Sequence, residues 1–317
     1  MTSKLCCYSL AMPGYDRSDL VEQLIMSITS MRQHNKNVAI VVFVYGSIPE
    51  RLGQAFSGLN VRIWQLCSYP TRLQRLCPRG AFALAEYPLL HKFLNFAEIS
   101  SLNPSQVLLL DCDTYFLNDV DYLFQKFAKP DLVAREEVGS SRSYHGYDKD
   151  MIDEEQLAAI GCKLGAKPAP PFNLGIVLLN NGLWHKLAGL SSLHVNYAWR
   201  FMLWMAENPS NPSTNYGVEG LGVDLIRSNQ ASLTPDDYSL RLPYPSANRW
   251  ILDEMSLWMT LGHLTGIRYK NFPRNIVLQN GEFNDEMENT NWIACHYFSQ
   301  NFQTISNWLT QKQSAVN

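Results

Sequence analysis

No apolar run in this 317-residue sequence approaches the ~20 residues that a membrane-spanning helix needs, so no transmembrane segment is expected. No polybasic tract occurs either, and the formal net charge is -3, which makes a nucleic-acid backbone an unsuitable main partner. An anionic small molecule would have to be met by local cations or by a metal ion. The seven cysteines, Cys6, Cys7, Cys67, Cys77, Cys112, Cys162 and Cys295, are odd in number. Their spacings match neither a zinc motif nor a small disulfide framework. Most sit inside apolar segments, where a thiol behaves as a small hydrophobe, so a reducing, cytoplasmic setting is expected, with peripheral membrane contact left open. There is no internal repeat and no low-complexity tract. Lys4 precedes an apolar stretch at residues 5–12, but no small-residue cleavage site closes it and Asp16 and Asp19 follow. The stretch therefore reads as a first buried strand rather than a signal peptide.

What is present is ample core material. With 46% hydrophobic and 17% charged residues, the chain fits one large α/β domain or two associated halves. Residues 5–10 read as a strand. Ser18 and Asp19 offer a cap for a helix to about Arg32, with Leu20, Leu24, Ile28 and Met31 at helical spacing. Residues 38–45 (VAIVVFVY) form a continuous β-branched run, expected as a strand buried on both faces. A short helix at 49–56, a strand at 61–66, a helix opened by Pro88 and reaching about Ile99, and a strand at 107–110 complete a βαβ alternation. That alternation predicts a mostly parallel sheet covered by helices. The second half is less regular. Residues 163–171 read as a loop, 172–179 (FNLGIVLL) as a strand interrupted at Gly175, 253–262 as a helix and 292–298 as a late strand. Residues 206–248, rich in Pro, Asn, Ser and Gly, read as an irregular insertion.

Chemistry is concentrated where the run LLL meets Asp111-Cys112-Asp113. Ligands of open α/β sheets bind beyond the carboxyl ends of the strands, and Asp111 and Asp113 stand at such an end. Residues i and i+2 of an extended chain share a face, so the two carboxylates converge. They repel unless a cation lies between them or one keeps its proton. Either they hold a hard divalent ion, or one of them is a nucleophile. Asp119 and Asp121 repeat the spacing, but they precede an apparent helix at 122–127, where capping accounts for them. Lys92 falls within the apolar arc of the 88–99 helix. It either snorkels past the helix rim or points into the cleft toward an anion.

Taken in order, these segments resemble GT-A-fold glycosyltransferases, and are most similar to the glycogenin and lipopolysaccharide-galactosyltransferase group. The resemblance runs through the basic residue Lys92, the strand ending in LLLDCD, the Phe172-Asn173-Leu174-Gly175 segment, the pair Asp253-Glu254 and the late Cys295-His296-Tyr297, roughly over residues 4–188 and 250–300. It implies a GT-A-like α/β fold with a mixed, mostly parallel sheet. The expected organisation is a single domain over 1–317, with a nucleotide-binding half at 1–115 and an acceptor-side half at 116–317 that holds an irregular insertion at about 190–250. It further implies that Asp111, Asp113 and His296 coordinate Mn²⁺ (or Mg²⁺) on the diphosphate of a nucleotide-sugar donor. A UDP-sugar with a hexose is favoured, and the acceptor is a glycan, lipid, protein or small molecule. Lys92 would contact the donor, Asn173 a sugar hydroxyl, Gly175 would admit close backbone approach, and Tyr15 would stack on the base. Asp253 and Glu254 would lie at the donor sugar; this chain has Asp-Glu where the group has Asp-Gln, and the Glu254 carboxylate is a candidate base for the acceptor hydroxyl, which would suit inversion where the resemblance implies retention.

The pattern departs from that group in places. Ser299 and Phe302 stand where a glycine and the first residue of Lys-Pro-Trp are expected, with Arg268, Lys270 and Arg274 as substitute cations. Other readings stay open. Asp111-Cys112-Asp113-Thr114 also fits the Asp-x-Asp-x-Thr motif of haloacid dehalogenase-like phosphatases, with Asp111 as nucleophile and only Asp236-Asp237 as a downstream acidic pair. A nucleotide-sugar-binding protein without transferase activity is a third reading. A nucleotidyltransferase is a fourth, but lacks the Gly-rich loop after the first strand.

Overall fold

The computed structural model describes residues 4–11, 18–136, 154–207, 219–229, 233, 252–279 and 292–297. Its frame follows from strand periodicity. In β1 (Lys4–Ala11), Leu5, Cys7 and Ala11 enter one core, while Cys6, Tyr8 and Leu10 enter another. In β2 (Ala39–Tyr45), Val41, Phe43 and Tyr45 part from Ile40, Val42 and Val44 in the same way. Both faces of the sheet are therefore apolar and both must be covered. One side carries the helices Ser18–His34, Glu50–Ala55 and Asp121–Lys126. The other carries Tyr69–Leu76, Ser191–Glu207 and Leu252–Leu261 among others.

The remaining strands of the main sheet are β3 (Val61–Leu66), β4 (Gln106–Leu110), β6 (Leu132–Glu136), β7 (Phe172–Leu179) and β8 (Tyr269–Asn271). Their order is β3-β2-β1-β4-β7-β6-β8, and β7 alone runs antiparallel to both of its neighbours. This is the mixed, mostly parallel sheet flanked by helices that the sequence predicts. The chain leaves β1 toward β2 and β3, then returns to place β4 on the other side of β1. That reversal creates a crevice at the carboxyl ends of β1 and β4, where open sheets take their ligands. A smaller sheet, ordered β5-β10-β9, is built from β5 (Thr114–Phe116), β9 (Val277–Gln279) and β10 (Ala294–His296).

One expected element differs. Residues 88–99 do not form one helix: a 3₁₀ turn, Pro88–Phe93, is followed by a separate helix, Phe96–Leu102. Neighbouring side chains meet the carbonyls that a continuous helix would use. The Tyr45 hydroxyl, whose proton goes to Asn95 Oδ1, lies 3.2 Å from His91 O, and Arg72 Nη2 donates to Leu94 O at 2.6 Å. Helical wheel reasoning therefore fails for Lys92, whose direction is set by the turn. Elsewhere, β7 is one strand across Gly175, but its pairing with β6 shifts register over that stretch, from Val133 opposite Leu178 to Arg135 opposite Asn173. The stretch beyond residue 190 includes the helices Ser191–Glu207 and Glu219–Ser228. Among the described residues, no helix is long and apolar enough to cross a membrane.

Candidate functional site

β4 stops at Leu110 and the chain turns. The Asp111 N–H still donates to Gly175 O at 2.9 Å, which ties the turn to β7. A chain of buried hydroxyls holds it from the other side. Thr114 Oγ1 donates to Asp111 O at 2.9 Å, so its oxygen must accept from Ser27 Oγ at 2.8 Å, and Ser27 in turn accepts from Tyr8 Oη at 2.7 Å. Burial pushes the Tyr8 phenol well up, so it remains a neutral donor. The motif is thereby fixed to β1 and to the first helix before any ligand arrives.

His296 comes from far along the sequence. β10 pairs antiparallel to β5 with His296 opposite Thr114, and Tyr297 N–H donates to Asp113 O at 3.1 Å. That register brings the imidazole to the carboxylates. Nε2 lies 3.2 Å from Asp113 Oδ1 and 3.7 Å from Asp111 Oδ2. One ligand atom from each of Asp111, Asp113 and His296 falls within 4.8 Å of the others. The ring lies flat against the backbone of Gly175, where an added Cβ would come within 2.2 Å of Nδ1. Glycine at 175 is thus required by the imidazole itself. On its far side, Nδ1 meets Asn173 Oδ1 at 2.9 Å.

A lysine completes the charge balance. Lys92 Nζ donates to both oxygens of Asp111, at 2.6 and 2.9 Å, and is buried rather than snorkelling. Burial pulls its ammonium down, but Asp111, then Asp253 and Glu254, hold the pKa above the ordinary value. Burial pushes Asp113 up, yet the neighbouring His296 and Lys92 bring its carboxyl below the usual range. His296 is raised in return: burial lowers it, and Asp113 and Asp111 outweigh that. A protonated imidazole and a divalent cation are therefore alternative neutralisers of the same two carboxylates, and binding an ion there would release a proton. Two oxygen donors and one imidazole nitrogen, closely gathered and held on their outer side, fit a divalent metal ion.

Comparison with protein-family models and with curated proteins gives no match. Among solved structures, the chain is similar to the apo form of mouse xyloside xylosyltransferase 1, with a TM-score of 0.44, 12% identity and coverage of 88% of this chain and 87% of that one. It is also similar to the glycosyltransferase GlyE of Streptococcus pneumoniae TIGR4, with a TM-score of 0.36, 14% identity and coverage of 87% of this chain and 46% of that one.

The other expected site residues are distributed as follows. Asp253 and Glu254 open the helix Leu252–Leu261, both buried. The Tyr87 hydroxyl donates to Asp253 Oδ1 at 3.2 Å and accepts the Asp253 N–H at 3.3 Å. Burial pushes the Asp253 carboxyl up to about 7, with Lys92 pulling it back and Asp111 adding to the rise. Glu254 Oε1 accepts from Leu174 N at 3.1 Å and from Asn173 Nδ2 at 3.4 Å. Tyr15, Ser299, Phe302 and the pair Asp236-Asp237 lie outside the described residues. Of the substitute cations, Arg268 is engaged by Asp131 at 3.0 Å and Lys270 lies over the Phe127 ring, both on β8 or its approach at the far edge of the sheet.

Sequence reading missed a polar cluster at the carboxyl end of β1. His91 Nε2 meets Ser9 O at 2.9 Å, and Asn95 Nδ2 donates to Ser9 Oγ at 2.5 Å while its Oδ1 accepts from Tyr45. This cluster fastens the Lys92 turn to the crevice. Its only sequence signal is that His91 and Asn95 are polar residues of the 88–99 segment, and nothing in their spacing points to the end of β1. The Tyr87–Asp253 contact had no signal, because the two residues are distant in sequence.

Proposed function

We propose that this chain is a metal-dependent glycosyltransferase that moves a sugar, a hexose first, from a nucleoside-diphosphate donor to an acceptor hydroxyl, with UDP-sugars favoured. One observation carries the reading: Asp111, Asp113 and His296, from two ends of the sequence, converge at the crevice between β1 and β4. In this reading those three side chains hold Mn²⁺ or Mg²⁺. When bound, the ion supplies Lewis acidity that neutralises charge developing on the leaving diphosphate. Lys92 adds a fixed cation beside Asp111. Its ammonium stays charged, so it is suited to the donor's phosphate oxygens. The Cβ-free backbone at Gly175 keeps the imidazole close to the sheet end. Asp253, beside Lys92 and held by Tyr87, lies toward the donor sugar, and Tyr15 serves the base. A reducing, cytoplasmic setting belongs to the same reading.

A thermal-shift survey tests it. Mn²⁺ together with a UDP-sugar is expected to raise the melting temperature by several degrees, more than either alone, and to support slow hydrolysis of the sugar nucleotide. If no UDP-, GDP- or other donor binds in a metal-dependent way, the proposal is wrong. Phosphate release from a generic ester, lost on Asp111→Asn, would support the phosphatase reading in its place.

A further inference from the structure

We infer that Asn173 and Glu254 form a positioning pair that fixes which nitrogen of His296 is offered to the cation; this deepens, and rests on, the metal-centre reading above. The argument begins with a donor whose identity is unambiguous. The Gly175 N–H can only donate, and it lies 2.9 Å from Asn173 Oδ1. The oxygen end of this amide therefore faces Gly175, and the NH₂ end faces the other way. His296 Nδ1, 2.9 Å from the same oxygen, must then carry the hydrogen of that contact. With Nδ1 donating, Nε2 is the nitrogen that can present a lone pair, and it is Nε2 that points at Asp113 and Asp111. A ligating histidine that gives its other N–H to a fixed acceptor is oriented in both ring plane and tautomer.

Glu254 completes the arrangement from the opposite side. The NH₂ end of a buried amide requires an acceptor, and Glu254 Oε1 meets it at 3.4 Å. The same oxygen is itself located by the Leu174 N–H at 3.1 Å. A rotated Asn173 would set its NH₂ against two donors, the Gly175 N–H and the imidazole N–H, and its oxygen against a carboxylate. Glu254 thus acts through Asn173 on His296, at two removes from the ion. This differs from a general base, which must reach the acceptor hydroxyl with its own oxygen. Gly175 is coupled to the same unit twice, by its N–H and by the space its missing side chain leaves for the ring.

The test is Mn²⁺ binding to the full-length chain, read by the free-ion signal in electron paramagnetic resonance, with pulsed spectra reporting nitrogen coupling to the bound ion. Asn173→Ala is expected to weaken Mn²⁺ binding about 10–100-fold and to reduce the nitrogen coupling, with a melting temperature that shows the chain folded. Glu254→Leu is expected to weaken binding about 10-fold. Glu254→Gln, whose carbonyl oxygen accepts from the same two N–H groups, is expected to bind Mn²⁺ close to wild type. Adding Glu254→Leu to Asn173→Ala should cost no further affinity, because Glu254 acts through Asn173. A folded Asn173→Ala that binds Mn²⁺ as tightly as wild type overturns the positioning pair and leaves the metal centre standing. A Glu254→Gln variant as weak as Asn173→Ala overturns the part assigned to Glu254. If Glu254→Leu does not fold, the Asn173→Ala and Glu254→Gln arms still decide. A wild-type chain that binds no Mn²⁺ removes the metal-centre reading itself.

Discussion

Two Asp-x-Asp pairs lie eight residues apart in this chain, and the fold gives them opposite settings. Asp111 and Asp113 sit half-buried in the crevice, with a buried lysine on one and a buried imidazole between them. Asp119 and Asp121 sit at the start of the helix Asp121–Lys126. Asp119 accepts from the Asp121 N–H at 2.9 Å and from Asn35 Nδ2 at 2.6 Å, and Asp121 pairs with Lys4 at 3.0 Å on the surface. Identical spacing therefore carries no chemistry by itself. The first pair is concentrated by burial and by the His296 imidazole that β10 brings in. The second is dispersed onto the Asp121 N–H, Asn35 and Lys4 at the surface. Two histidines repeat the lesson. His296 is buried among carboxylates and has its pKa raised, while His194 is buried in an apolar core against Phe93 and has its pKa driven down to about 4 by desolvation.

The sharpest way to break the comparison is to neutralise each aspartate in turn. Asp111→Asn and Asp113→Asn are each expected to lower Mn²⁺-dependent sugar-nucleotide hydrolysis on the order of 10³-fold, since several kcal/mol of charge stabilisation is at stake. Asp119→Asn and Asp121→Asn should leave that rate near wild type. An Asp119→Asn variant as impaired as Asp113→Asn would erase the distinction. The histidine contrast gives the next largest effect, and it is a pH effect on stability. The unfolded chain protonates His194 near its ordinary 6.5, the folded chain only near 4. Between those values the unfolded state binds more protons, so stability present in full above pH 6.5 is lost as the pH falls toward 4. The loss attributable to His194 is about 3 kcal/mol. Urea denaturation from pH 7 to 4 should therefore show a flatter decline in His194→Leu than in the unaltered chain, and parallel curves would reject the assignment.

How much of this was legible in the sequence follows from the same contrast. The strands β1, β2, β4 and β7 announced themselves, because burial on both faces produces continuous apolar runs that need no partner to be recognised. The first Asp-x-Asp was legible for the same reason: it follows directly on such a run. His296 was reachable only through the resemblance, since nothing local to Cys295-His296-Tyr297 marks a ligand, and the register that delivers it is a non-local property of β5 and β10. Lys92 was singled out on a helical wheel that does not exist. Its deviation from the polar arc was a real signal, but the turn that aims it depends on Tyr45 and Arg72, each remote in sequence. The roles of Asn173 and Glu254 were beyond sequence reading, because an amide's orientation is decided by a backbone N–H whose direction only the fold supplies.

The smallest effects belong to the second pair, and salt separates its two members. Asp119→Ala removes an acceptor from a backbone N–H at a helix start, and is expected to cost about 1 kcal/mol in urea denaturation. Asp121→Ala removes one partner of an ion pair whose side chains are 30% and 37% exposed, so its cost should be under about 1 kcal/mol. In 1 M salt the Debye length shrinks to about 3 Å, so the Asp121 difference should largely vanish. The Asp119 difference should persist, because a short hydrogen bond to a peptide N–H is not a screened long-range interaction. If both differences fell together, Asp119 would be acting through its charge rather than through its geometry, and the two pairs would differ in burial alone.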